Sequence, residues 1–278
     1  MAIGGHEDNI NDHRILSEIL LLIKKEKKNI EIITAASKYP DEAGETYLKA
    51  FEDSNHTVKL MNISDREQTT EESLIKRITK ADIIFFTGGS QLRITSILGG
   101  SLIEKEILRK YEEEYCVIAG TSAGANFMSE TMVYRGEVEE ALYKDTINMS
   151  AGIGLIDNVV LDTHFVERGR FSRLMQIVCM NSRNTGIGLG EDAGLVIEGG
   201  RILRAIGRGI TVILDGHQLK YTNVAEIDSH EAIAIENLII HTIVDGYGYD
   251  LGDKKYLKPD DLEKLHKAGN DGITHENS

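Results

Sequence analysis

Short apolar segments recur along the first half of the chain, separated by longer segments of mixed polarity. Because these segments are apolar at nearly every position, they are typical of strands buried on both faces of a parallel sheet. The pattern predicts strands at 30–36, 56–63, 81–87 and 115–119. Only Met1, Ala2 and Ile3 precede Gly4 and Gly5, which leaves little apolar sequence for a strand before them.

The segments between these strands carry apolar residues at the spacing of one helical face. They predict helices at 16–28, 41–51, 71–80 and 92–111, the last interrupted near Gly99. Strands that alternate with helices predict an α/β fold with a mostly parallel central sheet and helices on both faces. Ligands of such sheets collect at the carboxyl ends of the strands, here just after Phe86 and Ala119.

The second half of the chain has a different pattern. A predicted strand at 159–165 and a helix at 168–181 precede two short strands within 186–198. The segments 202–215 and 231–244 are typical of antiparallel β pieces with glycine turns. No proline-rich linker interrupts the sequence, so we expect one α/β domain over 1–258 and a polar C-terminal tail over 259–278.

Charge narrows the range of partners. The 278 residues include 31 Lys and Arg against 45 Asp and Glu, which gives a net charge of −14. Nucleic acids and anionic membranes are bound by clustered Lys and Arg, so the sequence predicts neither as a partner. An acidic surface suits a cationic substrate, although many proteins are acidic for solubility alone.

The ends and the cysteines favour the cytoplasm, with a processed exported form as the open alternative. No apolar run approaches the roughly 18 residues of a membrane span, and the polar N-terminus lacks the apolar core of a signal peptide, so we expect a cytoplasmic protein. Cys116 and Cys179 lie in apolar segments and are predicted to be buried free thiols. No Cys or His spacing is typical of a metal site, so we expect neither a metal nor another cofactor.

The strongest local motif is Gly-Thr-Ser-Ala-Gly at 120–124, directly after the predicted strand 115–119. It matches the G-x-S-x-G nucleophile elbow, a sharp strand-to-helix turn that exposes a serine and needs small neighbours. The alternatives are a plain strand–turn–helix and a phosphate site at a helix N-terminus. The buried strand before the motif favours Ser122 as a nucleophile, with the N–H of Ala123 directed at a developing oxyanion.

A serine nucleophile needs a base, and the base needs an acid that orients it. A histidine after a strand is more often structural, but His164 lies at the carboxyl end of a predicted strand and so can share the edge where Ser122 lies. Glu191 and Asp192 follow another strand-like segment. Position in the fold favours Glu191 as the acid, with Asp192 second.

Several stretches together resemble the cyanophycinases, within the family of Ser–His–Glu peptidases that also includes aspartyl dipeptidase. The resemblance covers roughly residues 3–250. The matching stretches are Phe-Phe-Thr-Gly-Gly-Ser-Gln-Leu-Arg at 85–93, Gly-Thr-Ser-Ala-Gly-Ala at 120–125, Asp-Thr-His-Phe at 162–165, Arg-Gly-Arg-Phe-Ser-Arg-Leu at 168–174, and 186–192.

The resemblance implies a class I glutamine amidotransferase-like fold, a homodimer and a serine exopeptidase. Its substrate would be the polymer cyanophycin, a poly-aspartate backbone with arginine on each β-carboxyl, cut to β-Asp-Arg dipeptides through an acyl-enzyme. Ser122 would be the nucleophile, His164 the base and Glu191 the acid, with N–H groups at Ala123 and near Gly89 as the oxyanion hole. The implied substrate contacts are Gln91, Asp162, Thr163, Arg168, Arg170 and Arg173.

The chemistry of arginine agrees with these contacts, since planar guanidinium groups bind carboxylates through two hydrogen bonds. The alternative is a basic helix face that makes surface salt bridges. Ser90 and Thr163 stand where the family usually has Asp and Gln, which suggests different substrate subsites. Two other functions stay open: a related aspartyl or isoaspartyl dipeptidase, and a non-catalytic binding module on the same fold.

Overall fold

The computed structural model describes residues 1–7, 14–52, 55–136 and 142–273. Its helices are α1 (Arg14–Leu21), α2 (Pro40–Glu52), α3 (Glu72–Lys80), α4 (Gln91–Leu98), α5 (Leu102–Glu113), α6 (Ala123–Phe127), α7 (Phe171–Met180) and α8 (Pro259–Ile273). Its strands are β1 (Ala2–Ile3), β2 (Asn29–Ile33), β3 (Thr57–Met61), β4 (Ile83–Phe86), β5 (Val117–Thr121), β6 (Thr131–Arg135), β7 (Asn148–Ala151), β8 (Val159–Thr163), β9 (Thr185–Leu189), β10 (Ala193–Glu198), β11 (Ile202–Gly207), β12 (Thr211–Asp215), β13 (Tyr221–Thr222), β14 (Ile235–Glu236), β15 (Ile239–Ile243), β16 (Gly248–Asp250) and β17 (Lys255–Leu257).

The central sheet has nine strands in the order β17-β16-β11-β10-β1-β5-β4-β2-β3. The strands β1, β5, β4, β2 and β3 are parallel to one another. The strands from the C-terminal half, β10, β11, β16 and β17, join antiparallel. The predicted α/β class, with antiparallel pieces in the C-terminal half, is therefore confirmed.

Alternate residues of the parallel strands point into two different cores. In β4 all four side chains are buried. Ile83 and Phe85 pack with apolar residues of α1 and α2 on one face of the sheet, whereas Ile84 and Phe86 pack with residues of α3 to α6 on the other. Helices therefore cover both faces, as the apolar runs predicted.

The predicted helix over 16–28 is wrong in its second half, because α1 ends at Leu21. The Nζ of Lys25 instead donates to both carboxylate oxygens of Asp82, each at 2.9 Å. Lysines at four of the five positions 24–28 would repel one another on a helix. Pairing with an acid on a neighbouring segment relieves that repulsion, so the chain leaves the helix early.

The strand before His164 does not belong to the central sheet. β8 pairs in parallel with β9 in a separate four-stranded sheet of order β15-β12-β9-β8. The expectation that His164 reaches Ser122 along a common sheet edge is therefore wrong. β9 and β10 lie in different sheets, so the loop between them, which carries Glu191, bridges the two sheets.

The two-residue strand β1 links all the segments that carry the candidate triad. It lies fully buried between β5 and β10. The carbonyl groups of residues 3–5 accept hydrogen bonds, in order, from the backbone N–H groups of Ser122 at 3.0 Å, His164 at 2.9 Å and Asp192 at 3.0 Å. Three distant parts of the chain are thus fixed to consecutive peptide units.

Gly5 is where this strand end passes beneath the ring of His164. Its φ is +101°, in the region that favours glycine. A Cβ added there would lie 2.6 Å from Nε2 of His164, closer than atoms can pack. The imidazole of His164 can therefore occupy this position only because residue 5 is a glycine.

Both cysteines are free thiols. Cys179 is buried as expected, whereas Cys116 is only partly buried, and burial still raises the pKa of the Cys116 thiol to about 12. Among the residues that the structure describes, no helix is both long and apolar enough to cross a membrane.

Gly5→Ala is expected to displace the His164 ring without unfolding the protein. A displacement of about 1 Å can reduce a rate on the order of 100-fold, so modification of Ser122 by a fluorophosphonate should slow by a similar factor. Gly199→Ala is the matched control, because Gly199 also has a positive φ, +56°, but an added Cβ there meets nothing within 4 Å. It should lose about 1–2 kcal/mol of stability in urea unfolding and keep the wild-type labelling rate. Wild-type labelling of Gly5→Ala would contradict the role given to this glycine.

Candidate active site

Ser122 occupies a strained turn between β5 and α6. Its φ of 52° and ψ of −115° are unusual for a residue with a side chain. The turn is tight: a Cβ added at Gly124 would lie 2.7 Å from Cβ of Phe86. Small neighbours are therefore required, as in a nucleophile elbow. Backbone strain of this kind costs on the order of 1–3 kcal/mol and is typical of functional sites.

His164 lies between Ser122 and Glu191 at hydrogen-bond distance from both. Oγ of Ser122 is 3.0 Å from Nε2 of His164, and Nδ1 of His164 is 2.8 Å from Oε1 of Glu191. A carboxylate can only accept, so Nδ1 donates to it and Nε2 is left to accept from the serine hydroxyl. The structure thus brings the three predicted triad residues together in the order that proton transfer needs.

The environment of His164 favours its neutral form. Only 6% of the residue is exposed, and this burial is the largest cause of a pKa below the ordinary histidine value. The nearby positive charge of Arg168 lowers the pKa further, while the hydrogen bond to Glu191 raises it by less than burial lowers it. The lone pair on Nε2 is therefore available at neutral pH.

Of the two candidate acids, Glu191 faces His164. Asp192 turns away, with its carboxylate 3.9 Å from the guanidinium of Arg208. The carboxylate of Glu167 accepts the backbone N–H of Glu191 at 3.0 Å. The backbone N–H of Asp192 donates to the carbonyl of Gly5. The loop is therefore held at two consecutive N–H groups, those of Glu191 and Asp192.

The proposed oxyanion donors lie beside Ser122. A Cβ added at Gly88 would be 3.4 Å from Cβ of Ser122 and 3.9 Å from its Oγ, so the turn that contains Gly89 lies against the serine. Within the described ranges, the N–H groups of Gly89 and Ala123 donate no backbone hydrogen bond. Their role as an oxyanion hole stays a prediction.

Asp162 lies under the site as a buried ion-pair partner. Its carboxylate, fully buried, accepts from Nε of Arg173 at 2.6 Å and also from Nη2 of Arg173. Arg170 donates to it at 3.3 Å and to the carbonyl of Thr163 at 2.6 Å. This geometry fixes α7 to the end of β8, next to His164. Removing one partner of a buried pair costs about 3–5 kcal/mol, so these residues support the site whether or not they contact substrate.

The other predicted substrate contacts differ in exposure. Arg168 is exposed beside His164, and Gln91 is half-buried at the start of α4. Arg170 is mostly buried, and Thr163 is fully buried. Ser90 caps α4, because its hydroxyl accepts from the N–H of Arg93 at 3.4 Å. The roles of all these residues toward substrate stay predictions.

The segment after β1 supplies two site residues that sequence reasoning missed. Nδ1 of His6 is 3.2 Å from Oε2 of Glu191, and its ring meets the His164 ring edge-on with centroids 5.4 Å apart. Glu7 accepts a hydrogen bond from the hydroxyl of Thr121, the neighbour of Ser122, at 2.8 Å. The available signal was the run of Gly, His and Glu just after an apolar strand end.

This arrangement has the parts needed for acyl transfer. A hydroxyl, an acceptor nitrogen and a carboxylate form one chain of hydrogen bonds, and the turn at Gly88 and Gly89 lies against the serine. Such a constellation is recognised by geometry rather than by chain order.

Known proteins resemble this chain in sequence and in fold. The model of peptidase family S51 matches residues 1–205. A cyanophycinase from Synechococcus elongatus is 32% identical over 252 residues, 90% of this chain and 78% of the relative. A cyanophycinase from Geminocystis herdmanii is 30% identical over 251 residues, 90% of this chain and 92% of the relative.

A solved structure shares the fold. The crystal structure of a peptidase from an acI-B1 Actinobacterium superposes with a TM-score of 0.66, at 18% identity, over 90% of this chain and 95% of the other. The family match covers most of the chain, and sequence relatives and fold agree. The chain therefore belongs to peptidase family S51, and it is a serine peptidase.

Proposed function

We propose that this protein hydrolyses cyanophycin to β-Asp-Arg dipeptides, with Ser122, His164 and Glu191 as its catalytic triad. The observation that carries the proposal is the hydrogen-bond chain through His164, with 3.0 Å to Ser122 on one side and 2.8 Å to Glu191 on the other. The relatives named cyanophycinase support the choice of substrate.

In the first half of the reaction, Oγ of Ser122 attacks the scissile carbonyl while Nε2 of His164 takes the hydroxyl proton. Glu191 stabilises the imidazolium that forms and holds the ring in position. The negative charge on the carbonyl oxygen is met by N–H groups of Ala123 and Gly89, whose loss typically costs 100- to 1,000-fold in related chemistry. His164 then gives its proton to the leaving amine, and an acyl-enzyme on Ser122 is left.

In the second half, water replaces the leaving amine. His164 takes a proton from the water, the hydroxide attacks the ester, and the proton returns to Oγ of Ser122 as the product leaves. No other proton acceptor is needed, because His164 is buried, neutral and ready for both steps.

Charge supports an arginine-bearing polymer as substrate. A net charge of −14 attracts a substrate that carries many guanidinium groups. Beside the site, Arg168 is exposed and supplies a local positive charge that a backbone carboxylate of the substrate can meet. The long-range attraction therefore acts on the guanidinium groups of the polymer, whereas the local contact acts on its backbone carboxylates.

Digestion of cyanophycin by the purified protein should yield β-Asp-Arg, identified by mass. Ser122→Ala should lose on the order of 10⁴-fold of turnover or more. Ser96→Ala is the matched control, because Ser96 is an exposed serine on α4 and should keep full activity. Digestion that is equal in Ser122→Ala would sink the proposed triad.

A parallel assay with free aspartyl and isoaspartyl dipeptides separates the alternatives. Hydrolysis of dipeptides without digestion of the polymer would assign the aspartyl dipeptidase function instead. Failure on both substrates, with no fluorophosphonate labelling of Ser122, would favour a non-catalytic binding module.

The pH dependence of kcat/KM should report the neutral His164. Because burial and Arg168 lower its pKa, activity should persist below the ordinary histidine value of about 6.5 and then fall as the base is protonated. Arg168→Gln removes a positive charge that lowers the pKa, so its acid limb should move to higher pH. Arg183→Gln, at an exposed arginine in the turn after α7, should leave the limb unchanged. A shift of the Arg168→Gln limb to lower pH would contradict this account of the base.

A further inference from the structure

Three side chains of metal-binding type, those of His6, His164 and Glu191, lie together beside Ser122. Oε1 of Glu191 faces Nδ1 of His164 at 2.8 Å, and Oε2 faces Nδ1 of His6 at 3.2 Å. One ligand atom from each of these residues lies within 4.8 Å of the others. His6 comes from the segment after β1, His164 from the end of β8 and Glu191 from the β9–β10 loop, so their spacing along the chain gives no sign of the cluster.

The distances suit a small tetrahedral cation. Zinc bonds to His nitrogen and carboxylate oxygen at about 2.0–2.2 Å, which puts neighbouring ligand atoms of a tetrahedral site roughly 3.3 Å apart. The contacts are 2.8 Å to Oε1 and 3.2 Å to Oε2 of Glu191, and the three ligand atoms lie within 4.8 Å of one another, so small side-chain rotations bring them to that separation. Two histidines with one carboxylate form a donor set that zinc uses with its fourth position open.

The cluster is open to solvent on the side of His6 and Glu191, while the side chain of His164 is only 7% exposed. The side chain of His6 is 64% exposed and that of Glu191 is 29% exposed, so an ion from solution can reach their facing atoms without displacing core residues. The carboxylate of Glu191 supplies negative charge, and the acidic protein attracts cations. Arg168 is exposed beside the cluster and opposes a cation here, and the carboxylate of Glu191 offsets that charge.

We propose that Zn²⁺ binds His6, His164 and Glu191 and reversibly inhibits the enzyme. The metal takes the lone pair of Nδ1 of His164, so the single ring proton must sit on Nε2 instead of Nδ1. Nε2–H can donate to Oγ of Ser122 but cannot accept its proton. The same number of protons is present before and after binding, and only the tautomer changes. Inhibition as such rests on the proposed triad, whereas the zinc site does not.

Calorimetric titration with zinc chloride tests the site without any catalysis. Ser122→Ala keeps all three ligands and should bind one zinc per chain. Adding His6→Ala or His6→Asn should weaken that binding at least tenfold. Asparagine is included because it tolerates the positive φ of 49° at this position and so preserves the local backbone.

His266→Ala is the matched control. Nε2 of His266 lies 3.4 Å from a carboxylate oxygen of Glu198, so it is also a half-exposed histidine paired with one carboxylate. It is not part of the cluster, and its loss should leave zinc affinity unchanged. Equal weakening by His266→Ala and His6→Ala, or no stoichiometric binding by Ser122→Ala, would overturn the proposed site.

The rate of Ser122 labelling by a fluorophosphonate tests the inhibition. Saturating zinc should slow labelling at least tenfold in the wild type and in His266→Ala, and EDTA should restore it. In each His6 variant, saturating zinc should slow the labelling less than twofold relative to the metal-free rate of the same variant. Equal slowing in the His6 variants would overturn the mechanism. A protein that binds zinc through His6 but digests no polymer would sink the proposed substrate and leave the metal site standing.

Discussion

The candidate site depends on one short row of hydrogen bonds. The carbonyls of residues 3–5 accept the N–H groups of Ser122, His164 and Asp192, at 2.9–3.0 Å. These three residues lie directly after β5, directly after β8 and in the loop that joins β9 to β10, and two sheets meet at this row. Because neighbouring peptide units hold all three segments, their relative positions are fixed more tightly than either sheet alone would fix them.

The same row stabilises an unfavourable backbone. Ser122, His164 and Asp192 all have φ between 48° and 54°, a conformation that costs about 1–2 kcal/mol for a residue with a side chain. Each of them donates its N–H to the row, and a buried hydrogen bond contributes about 0.5–1.5 kcal/mol net. The strain and the hydrogen bonds are of similar size, so the local geometry depends on the surrounding sheet as well. The buried pair of Asp162 and Arg173 adds support directly beneath His164.

Local patterns in the sequence predicted what depends on local physics. The α/β class followed from apolar runs such as Ile83 to Phe86, since strands buried on both faces cannot alternate in polarity. The elbow followed from its glycines, because close packing against Phe86 excludes a side chain at Gly124. Glu191 was favoured over Asp192 by position, and it is the one that faces His164.

What the sequence did not predict depends on contacts between distant segments. β1 has only two residues, both buried, and a strand this short shows no periodic pattern. The sequence therefore did not predict the importance of β1. The apolar pattern of a strand does not show which sheet the strand joins. β8 joins the four-stranded sheet and not the central one. The sequence did not predict the burial of Arg173 either. Three arginines within six residues give the same sequence pattern whether they lie on the surface or around a buried carboxylate such as that of Asp162. His6 gave no motif, since its partners lie far along the chain.

The most direct test of the account is amide hydrogen exchange of the folded protein, resolved residue by residue. The N–H groups of Ser122, His164 and Asp192 should exchange as slowly as amides in the core strand β5, because all three donate to buried carbonyls of one row. The N–H of Leu219, which bonds to the carbonyl of Gly216 across a turn whose two middle residues are exposed, gives the fast reference. Exchange of any of the three at the rate of Leu219 would contradict the claim that this row fixes the site.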